Sequence, residues 1–484
     1  MRFLNKIRKI KYIYDSTACL IIAAAFFLSA AFPSYAAADY EADALMRKEL
    51  PIQSNEIKGW PAGPEITAEA AIVMEAETGT ILYAKNIHEE LYPASTTKIM
   101  TCLLAAENAS LSDTITFSDE AVFSVPRGGS NIGMDVGQSI SLEQALYGIM
   151  VGSANEVANA VGEHVSGSIS SFVDLMNKRA EELGCTNTHF ANTNGLQADD
   201  HYTSAYDLAL ISRAFFNNEH LSKVGNTPRY HFQATANQPD DFYLNNKHKL
   251  ISGEIPYEGI LGGKTGYTDL ARETLVTCAE RNGMKLICVV FKEESPAQFT
   301  DTVTLFDYGF GNFQLVNVSE SDSRYMPNDS VFFESDRDVF GHSGTILKLS
   351  RKDYIVIPKT QSIEDTDYEI SYDLSEEEKA LIPTAIARVG YTFSGEPVGK
   401  AYVCYTASPA KDITSESVSG NRTIYINVKI LIICAGILVG VISLAGLILS
   451  RLFGERSMPA RYDRVRYNRR KKEFRKGKFK SGKF

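Results

Sequence analysis

Strand-like and helix-like patterns occur in blocks along this chain of 484 residues. Residues 70–86 alternate apolar and polar side chains around turn residues at 77–79, which predicts a hairpin. Amphipathic helical segments follow to about residue 216, with Ser141 and Gln144 as a predicted capping box. Three strand-like segments come next, the last two joined by a turn at 281–283. This order predicts an α+β fold: one antiparallel sheet flanked by helices, with a mainly helical region between its halves.

Short alternating runs replace these longer segments after residue 311, separated by Asp, Gly and Ser. Such runs predict short strands joined by turns. We therefore expect a large domain at 60–311, a small β domain at 312–410 and a polar linker at 411–423.

Both ends of the chain carry apolar segments outside these domains. Residues 1–38 combine a basic start, an apolar stretch and small residues, which predicts a cleaved export signal; a retained anchor is the alternative. Residues 424–450 predict a transmembrane helix, because 430–450 contain no charge and roughly 20 apolar residues cross a bilayer. The tail at 451–484 is rich in Arg and Lys, so the positive-inside rule places it in the cytoplasm and the domains outside.

The formal net charge of −10 is unevenly distributed. The tail and the export signal carry about +11 and +4, which leaves about −25 on the residues between them. An acidic body of this kind disfavours nucleic acid as a partner. The seven cysteines are scattered without metal-ligand spacing and no H-E-x-x-H motif occurs, so we predict neither a metal nor another cofactor. The sequence leaves open whether any two of the cysteines form a disulfide.

The segment LYPASTTKIMTCLLAA places Ser95 and Lys98 at the start of a predicted helix. Residues three apart lie on the same helix face, one turn from each other. A serine hydroxyl needs a base to become a nucleophile, and a lysine accepts a proton only when burial or a second cation keeps it neutral. By itself, the segment fits either a reactive pair or an ordinary helix start.

Two further motifs accompany this pair. The tripeptide SAN begins at Ser153, between two predicted helices, and the tripeptide KTG begins at Lys264, on the first of the three late strands. Each tripeptide alone is common. In this order, S-x-x-K, S-x-N and K-T-G are typical of serine enzymes that react with penicillins. Lys264 is then a candidate for the second cation near Lys98.

With these motifs the chain resembles the serine-type D-alanyl-D-alanine carboxypeptidases, the low-molecular-weight penicillin-binding proteins. The resemblance covers about residues 65–310, in phrases such as LYPASTTKIMT, ALYGIMVGSANEVANAV and GGKTGYTDLA, and extends more weakly into the small β domain. It implies a β-lactamase/transpeptidase-like fold. The apolar span and the basic tail predict a single-pass protein, and with the resemblance we expect it in the bacterial plasma membrane. It also implies peptidoglycan stem peptides ending in D-Ala-D-Ala as substrates and β-lactam antibiotics as covalent inhibitors.

The resemblance also implies roles for individual residues. Ser95 attacks the carbonyl between the two D-alanines, Lys98 acts as its base, and Ser153 relays a proton to the leaving amine. The backbone N–H groups of Ser95 and Tyr267 bind the oxyanion. The expected substrate-binding residues are Asn155, Lys264, Thr265, Gly266 and Tyr267.

Two departures from the family pattern stand out. Ala154 replaces a usual glycine, and Gln298 stands where the family often has an arginine associated with the substrate's carboxylate. We expect Arg272, at the start of the next strand, to take over part of that contact. Pairing of Arg272 with an acidic neighbour, Glu273 or Asp269, is the alternative.

Two other functions compete with this interpretation. A β-lactamase shares the three motifs but needs a deacylating glutamate, and no E-x-x-L-N-type segment stands between Asn155 and Lys264. A catalytically weak cell-wall-binding protein would be expected to lack Ser95 or Lys98, and both are present.

Overall fold

The structure, a computed structural model, describes residues 40–325 and 347–405. The predicted export signal, linker, transmembrane helix and cytoplasmic tail lie outside the described residues. Within those two ranges, no helix combines the length and the apolar character that crossing a membrane requires.

The described part of the chain contains twelve α-helices, four short 3-10 helices and fifteen strands. The helices are α1 Tyr40–Lys48, α2 Lys98–Asn108, α3 Asp119–Phe123, α4 Leu142–Met150, α5 Asn155–Ser166, α6 Ile169–Glu182, α7 Ala205–Phe216, α8 Glu219–Gly225, α9 Lys249–Ser252, α10 Ala297–Asn312, α11 Val318–Ser321 and α12 Glu376–Leu381. The strands are β1 Ala70–Glu75, β2 Ile81–Lys85, β3 Thr114–Thr116, β4 Ser139–Ser141, β5 Arg229–Phe232, β6 Phe242–Asn245, β7 Ile260–Thr268, β8 Arg272–Arg281, β9 Met284–Glu293, β10 Phe313–Asn317, β11 Leu347–Leu349, β12 Tyr354–Pro358, β13 Asp367–Ser371, β14 Ala385–Phe393 and β15 Glu396–Tyr405.

The central sheet has five antiparallel strands in the order β2-β1-β9-β8-β7. The early hairpin therefore pairs with the last of the three late strands, and the five strands form the single antiparallel sheet that the sequence predicts. Asn282 and Gly283 connect β8 to β9 with φ angles of 53° and 80°. Positive φ at both central residues is the backbone that a tight two-residue hairpin requires, and Asn-Gly adopts it readily. The predicted hairpin, meander and inserted helical region are confirmed.

Both faces of the central sheet are buried. Ile72 and Met74 of β1 belong to one core cluster, together with side chains of α2, α4, α5 and α7. Ala71 and Val73 belong to the other cluster, together with Leu305 and Phe306 of α10. Successive side chains of a strand point to opposite faces, so β1 contributes side chains to both clusters. Its sequence is therefore almost continuously apolar.

Local signals in the sequence position the helices around the motifs. Ser141 and Gln144 form the predicted capping box at the start of α4, with both reciprocal hydrogen bonds present. The chain then turns at Ser153, whose φ of 59° is unusual for a residue with a side chain, and α5 begins at Asn155. This turn places Ser153 and Asn155 at the same end of the helical layer.

A second antiparallel sheet follows, in the order β10-β12-β15-β14-β13, with β11 paired to β15. The side chain of Trp60 packs against Phe313 and Phe393 of this sheet, with ring centroids 5.0 and 6.0 Å away. Its indole N–H donates to the Leu82 carbonyl of β2 at 2.8 Å. Trp60 therefore links the second sheet to the first. The boundary between domains at 60–311 and 312–410 stays a prediction.

Candidate active site

Ser95 lies in a tight turn that opens helix α2. Residues Ala94–Thr97 form a 3-10 turn, and α2 continues from Lys98. The carbonyl of Pro93 accepts hydrogen bonds from the Thr96 hydroxyl at 2.6 Å and from the Thr274 hydroxyl of β8 at 3.0 Å. Two threonine hydroxyls thus fix the chain just before Ser95 and attach it to the central sheet.

Lys98 is fully buried and contacts the Ser95 hydroxyl directly. Its Nζ lies 3.0 Å from Ser95 Oγ, 2.7 Å from Asn155 Oδ1 and 2.5 Å from the Asn194 carbonyl oxygen. Burial holds the pKa of Lys98 well below its usual value, and the nearby charge of Lys264 lowers it further. The environment therefore favours the neutral amine, which can accept the Ser95 proton.

Lys264 is the second buried cation, as the sequence predicts. Its Nζ donates to Ser153 Oγ at 3.0 Å and to the Thr265 carbonyl at 2.9 Å. Burial lowers the pKa of Lys264 to about 7, and the charge of Lys247 contributes to the same shift. The hydroxyl of Ser153 is therefore coupled to a group that gains or loses a proton near neutral pH.

Two glycines allow other backbone segments to approach the nucleophile. A Cβ on Gly195, whose φ is +85°, would lie 1.8 Å from the Ala94 carbonyl oxygen. A Cβ on Gly266 of β7 would lie 2.9 Å from the backbone nitrogen of Ser95. Any side chain at either position would push against the turn that holds Ser95. Strand β7 thus passes directly beside the Ser95 backbone N–H, where Tyr267 follows.

These groups meet at a cavity of about 560 Å³. Lys98 and Lys264 lie behind its surface, with 0% and 2% of their area exposed. The residues that line it are Ser95, Pro126, Gly128, Gly129, Ser130, Ser153, Asn155, Gly195, Leu196, Lys247, Lys249, Thr265, Gly266, Tyr267, Thr268, Glu273, Ser295, Gln298 and Phe299. A nucleophile, a buried base and a hydroxyl beside a second cation thus share one accessible space, the arrangement expected for acyl transfer.

Comparisons with known proteins place this arrangement in a family. The family model for D-alanyl-D-alanine carboxypeptidases, peptidase family S11, matches residues 58–295. A D-alanyl-D-alanine carboxypeptidase of Bacillus subtilis, DacF, is 37% identical over 253 residues, which are 51% of this chain and 63% of that protein. Another from Escherichia coli, DacC, is 30% identical over 58% of this chain and 72% of its own length.

A solved structure agrees with these sequence matches. Penicillin-binding protein 5 from Haemophilus influenzae has a TM-score of 0.56 and 25% identity, covering 71% of this chain and 98% of that chain. The chain belongs to the D-alanyl-D-alanine carboxypeptidase family. The predictions of the family and of a serine-type D-Ala-D-Ala carboxypeptidase are confirmed, and so is the mixed fold of helices and antiparallel sheet.

The guanidinium of Arg272 has several protein partners, and its part in binding the substrate's carboxylate stays a prediction. Its guanidinium pairs with Glu294 at 2.7 Å and stacks over the Tyr40 ring, 3.8 Å from the centroid. Glu294 also pairs with Arg47 of α1 at 3.1 Å. Arg272 begins β8 with a φ of 54°, and it is not among the residues that line the cavity. The alternative of an acidic partner fits, although the partner is Glu294.

Sequence reasoning missed several residues of the site. Asn194 contributes its backbone carbonyl to Lys98, a contact that carries no side-chain signal. Lys247, in the short connection between β6 and α9, and Lys249, the first residue of α9, both line the cavity. Glu273 also lines the cavity, and burial raises the pKa of its carboxyl group. Two lysines flanking a histidine in NNKHKL are a charge cluster that could have drawn attention to this segment.

Proposed function

We propose that the protein removes the terminal D-alanine from peptidoglycan stem peptides through an acyl-enzyme on Ser95. The observation that carries the proposal is the buried amine of Lys98 at 3.0 Å from Ser95 Oγ, with its pKa held low. The family supplies the substrate class, and this contact supplies the reactive group. The same serine is the expected site of acylation by β-lactam antibiotics.

In the first step, Ser95 Oγ attacks the carbonyl carbon between the last two D-alanines while Lys98 Nζ accepts the hydroxyl proton. The developing oxyanion binds the backbone N–H groups of Ser95 and Tyr267. The proximity of Gly266 to the Ser95 nitrogen supports this assignment, because it brings the strand bearing Tyr267 close to the reacting carbonyl.

In the second step, the C–N bond breaks and the leaving amine takes up a proton. Ser153 passes this proton on from Lys98, and the contact between Ser153 Oγ and Lys264 at 3.0 Å supports its role in the relay. Asn155 and the backbone of Thr265 hold the substrate alongside β7. Water then hydrolyses the ester, releases the shortened peptide and restores Ser95.

Lys247 is the proposed partner of the substrate's free carboxylate in place of the missing arginine. It lines the cavity, and its charge acts on both Lys98 and Lys264. Among residues 40–325 and 347–405, no carboxylate or other hydrogen-bonding group pairs with it. Lys249, by contrast, has Glu254 at 3.9 Å. Gln298 at the arginine's position is 3% exposed and offers only an uncharged amide.

The location of the enzyme is part of the proposal. The apolar run at 430–450 with the basic tail behind it supports a single-pass anchor in the plasma membrane, and residues 1–38 support export of the catalytic domain. This arrangement places the cavity on the side of the membrane where peptidoglycan is found.

Two measurements test the function. Incubation with a pentapeptide ending in D-Ala-D-Ala should release free D-alanine, and Ser95→Ala should abolish the release. Fluorescent penicillin should form a slowly hydrolysed covalent adduct with the wild type and none with Ser95→Ala. Labelling that survives the substitution would show that another residue is the nucleophile, and rapid turnover of penicillin would favour a β-lactamase.

A further inference from the structure

The amine of Lys98 must point its lone pair at Ser95 to act as a base. A neutral amine has two N–H donors and one lone pair. The two donors have two acceptors available, Asn155 Oδ1 at 2.7 Å and the Asn194 carbonyl at 2.5 Å. When both donors engage those oxygens, the lone pair is left for the hydroxyl of Ser95. The orientation of the base therefore depends on how firmly the two oxygens are held.

The two acceptors are supported differently. Asn155 is the first residue of helix α5, so the helix itself fixes its position. Asn194 lies in the connection between α6 and α7, outside any helix or strand. Its carbonyl needs support from neighbouring side chains to stay against Lys98.

Asn159 of α5, one helical turn beyond Asn155, supplies part of that support, beside Thr101, whose hydroxyl donates to the Thr193 carbonyl, and Asn192, whose Oδ1 accepts from the Asn194 N–H. Asn159 Oδ1 accepts hydrogen bonds from the Thr193 hydroxyl at 2.6 Å and from Asn194 Nδ2 at 3.0 Å. One side-chain oxygen thus holds both residues of the segment that carries the Asn194 carbonyl. Asn159 is only 3% exposed, so water does not compete strongly for these bonds.

The other end of the Asn159 amide is equally occupied. Its Nδ2 donates to the Ala121 carbonyl at 3.2 Å and to Ser124 Oγ at 3.0 Å. Asn159 therefore uses two donors and two acceptor positions, the full capacity of an amide. It joins the segment before Pro126 to the segment before Gly195, and both of these residues line the cavity.

We propose that Asn159 is a positioning residue for the acylation step. By holding Thr193 and Asn194, it keeps the Asn194 carbonyl on Lys98 and so directs the lone pair of the amine at Ser95. Asn159 does not itself contact the cavity, so its loss should slow the chemical step and leave binding of the substrate or antibiotic nearly unchanged. The inference rests on the proposed role of Lys98 as the base.

The test compares two single-hydroxyl deletions at opposite ends of the Asn159 amide. Thr193→Val removes the bond on the Lys98 side, and Ser124→Ala removes the bond on the far side. We expect Thr193→Val to lower the acylation rate constant for fluorescent penicillin at least tenfold, with the dissociation constant of the non-covalent complex within twofold. Ser124→Ala should leave both constants within twofold of the wild type. Rates are expressed per active site, counted by prolonged labelling.

Asn159→Leu should show a larger loss, about a hundredfold, with the same division between rate and binding. If this variant does not fold, the comparison of Thr193→Val with Ser124→Ala still tests the positioning role of Asn159. Equal acylation rates in that pair, or equal losses, would overturn the positioning role. Ser95→Ala is measured in parallel. If Ser95→Ala is still labelled, the proposed function is wrong. If Ser95→Ala is not labelled but Thr193→Val is acylated at the normal rate, only the role of Asn159 is wrong.

Discussion

At the residue scale, burial of two lysines defines the chemistry of this site. Lys98 and Lys264 are 0% and 2% exposed, and burial is the largest cause of the lowered pKa of each. Removing an ammonium group from water is unfavourable, so each lysine must either release its proton or remain charged at a cost to folding. The same burial that favours the neutral amine of Lys98, as its proposed role of base requires, therefore makes the site a source of instability.

Lys264→Met tests this cost through its pH dependence. The folded pKa of Lys264 is about 7, below the value of roughly 10.4 for an unfolded lysine. Between these pH values the unfolded chain binds more protons than the folded one, so the wild type gains stability as pH rises. The destabilisation caused by burying the charged lysine is therefore greatest below pH 7. Methionine does not titrate.

Lys264→Met should therefore be more stable than the wild type at pH 6, and its advantage should shrink by at least about 1 kcal/mol at pH 9. Urea unfolding at the two pH values measures the difference. Lys352→Met, at an exposed position, is the control and should show no such change. A Lys264→Met advantage that is the same at both pH values would contradict the expectation.

The proposed carboxylate contact belongs to the residue scale as well. Lys247→Gln should lower kcat/KM about tenfold or more for a peptide with a free carboxylate, since hydrogen bonds to charged groups contribute about 1.5–3 kcal/mol. The effect on the same peptide with an amidated end should be much smaller. Lys249→Gln is the matched control, because Lys249 has Glu254 at 3.9 Å. Equal losses on both peptides would remove Lys247 from carboxylate recognition.

At the scale of elements, the site depends on segments that pack more closely than side chains normally allow. The turn before α2, the connection around Gly195 and strand β7 meet at Ser95. Thr274 of β8, the strand paired with β7, donates to the Pro93 carbonyl at 3.0 Å and so ties the turn before α2 to the central sheet. Ser95 is therefore positioned by three separate parts of the chain. We expect that displacing one of them will also displace the others.

Gly195→Ala tests this close packing. Its new Cβ would meet the Ala94 carbonyl oxygen at 1.8 Å, so the turn that holds Ser95 must move. Gly184→Ala is the control, because Gly184 has the same φ of +85° with nothing within 4 Å of its Cβ position. Both variants carry the cost of a left-handed alanine, roughly 1 kcal/mol.

Only Gly195→Ala should also lose acylation by penicillin, by at least tenfold per folded molecule. Thermal unfolding and labelling kinetics together measure the two effects. Similar acylation rates in the two variants would mean that the contact with Ala94 does not matter for catalysis.

At the scale of the whole molecule, the candidate site and the proposed membrane anchor belong to different stretches of the sequence. Every residue placed in the candidate site lies between Ser95 and Phe299, within the central sheet and its helices. Trp60 connects the second sheet to β2, the edge strand opposite β7 in the central sheet. The proposed anchor follows the second sheet in sequence.

A chain comprising residues 39–417 should therefore be a soluble enzyme that hydrolyses short peptides at a near-normal rate. Assays of D-alanine release on the truncated and full-length proteins, the latter in detergent, measure this. A folded truncation that has lost peptide hydrolysis would show that the removed segments shape the site.

Much of the fold and the site was predictable from local patterns in the sequence. The period of apolar residues distinguishes strands from helices, and the Asn-Gly turn and the Ser141 capping box mark their ends. Ser95 and Lys98 lie side by side because they are three residues apart, across the 3-10 turn that opens α2. These features follow from backbone geometry over a few residues, so the sequence by itself determined them.

Which charged groups face the cavity was decided only by the tertiary structure. Arg272 follows the KTG strand closely in sequence, yet Glu294 and Tyr40, from distant parts of the chain, engage its guanidinium. Lys247 belongs to a short connection without a motif, and Asn194 acts through its backbone. Contacts of this kind depend on where remote segments pack, and a charged side chain takes the partner that packing brings within reach.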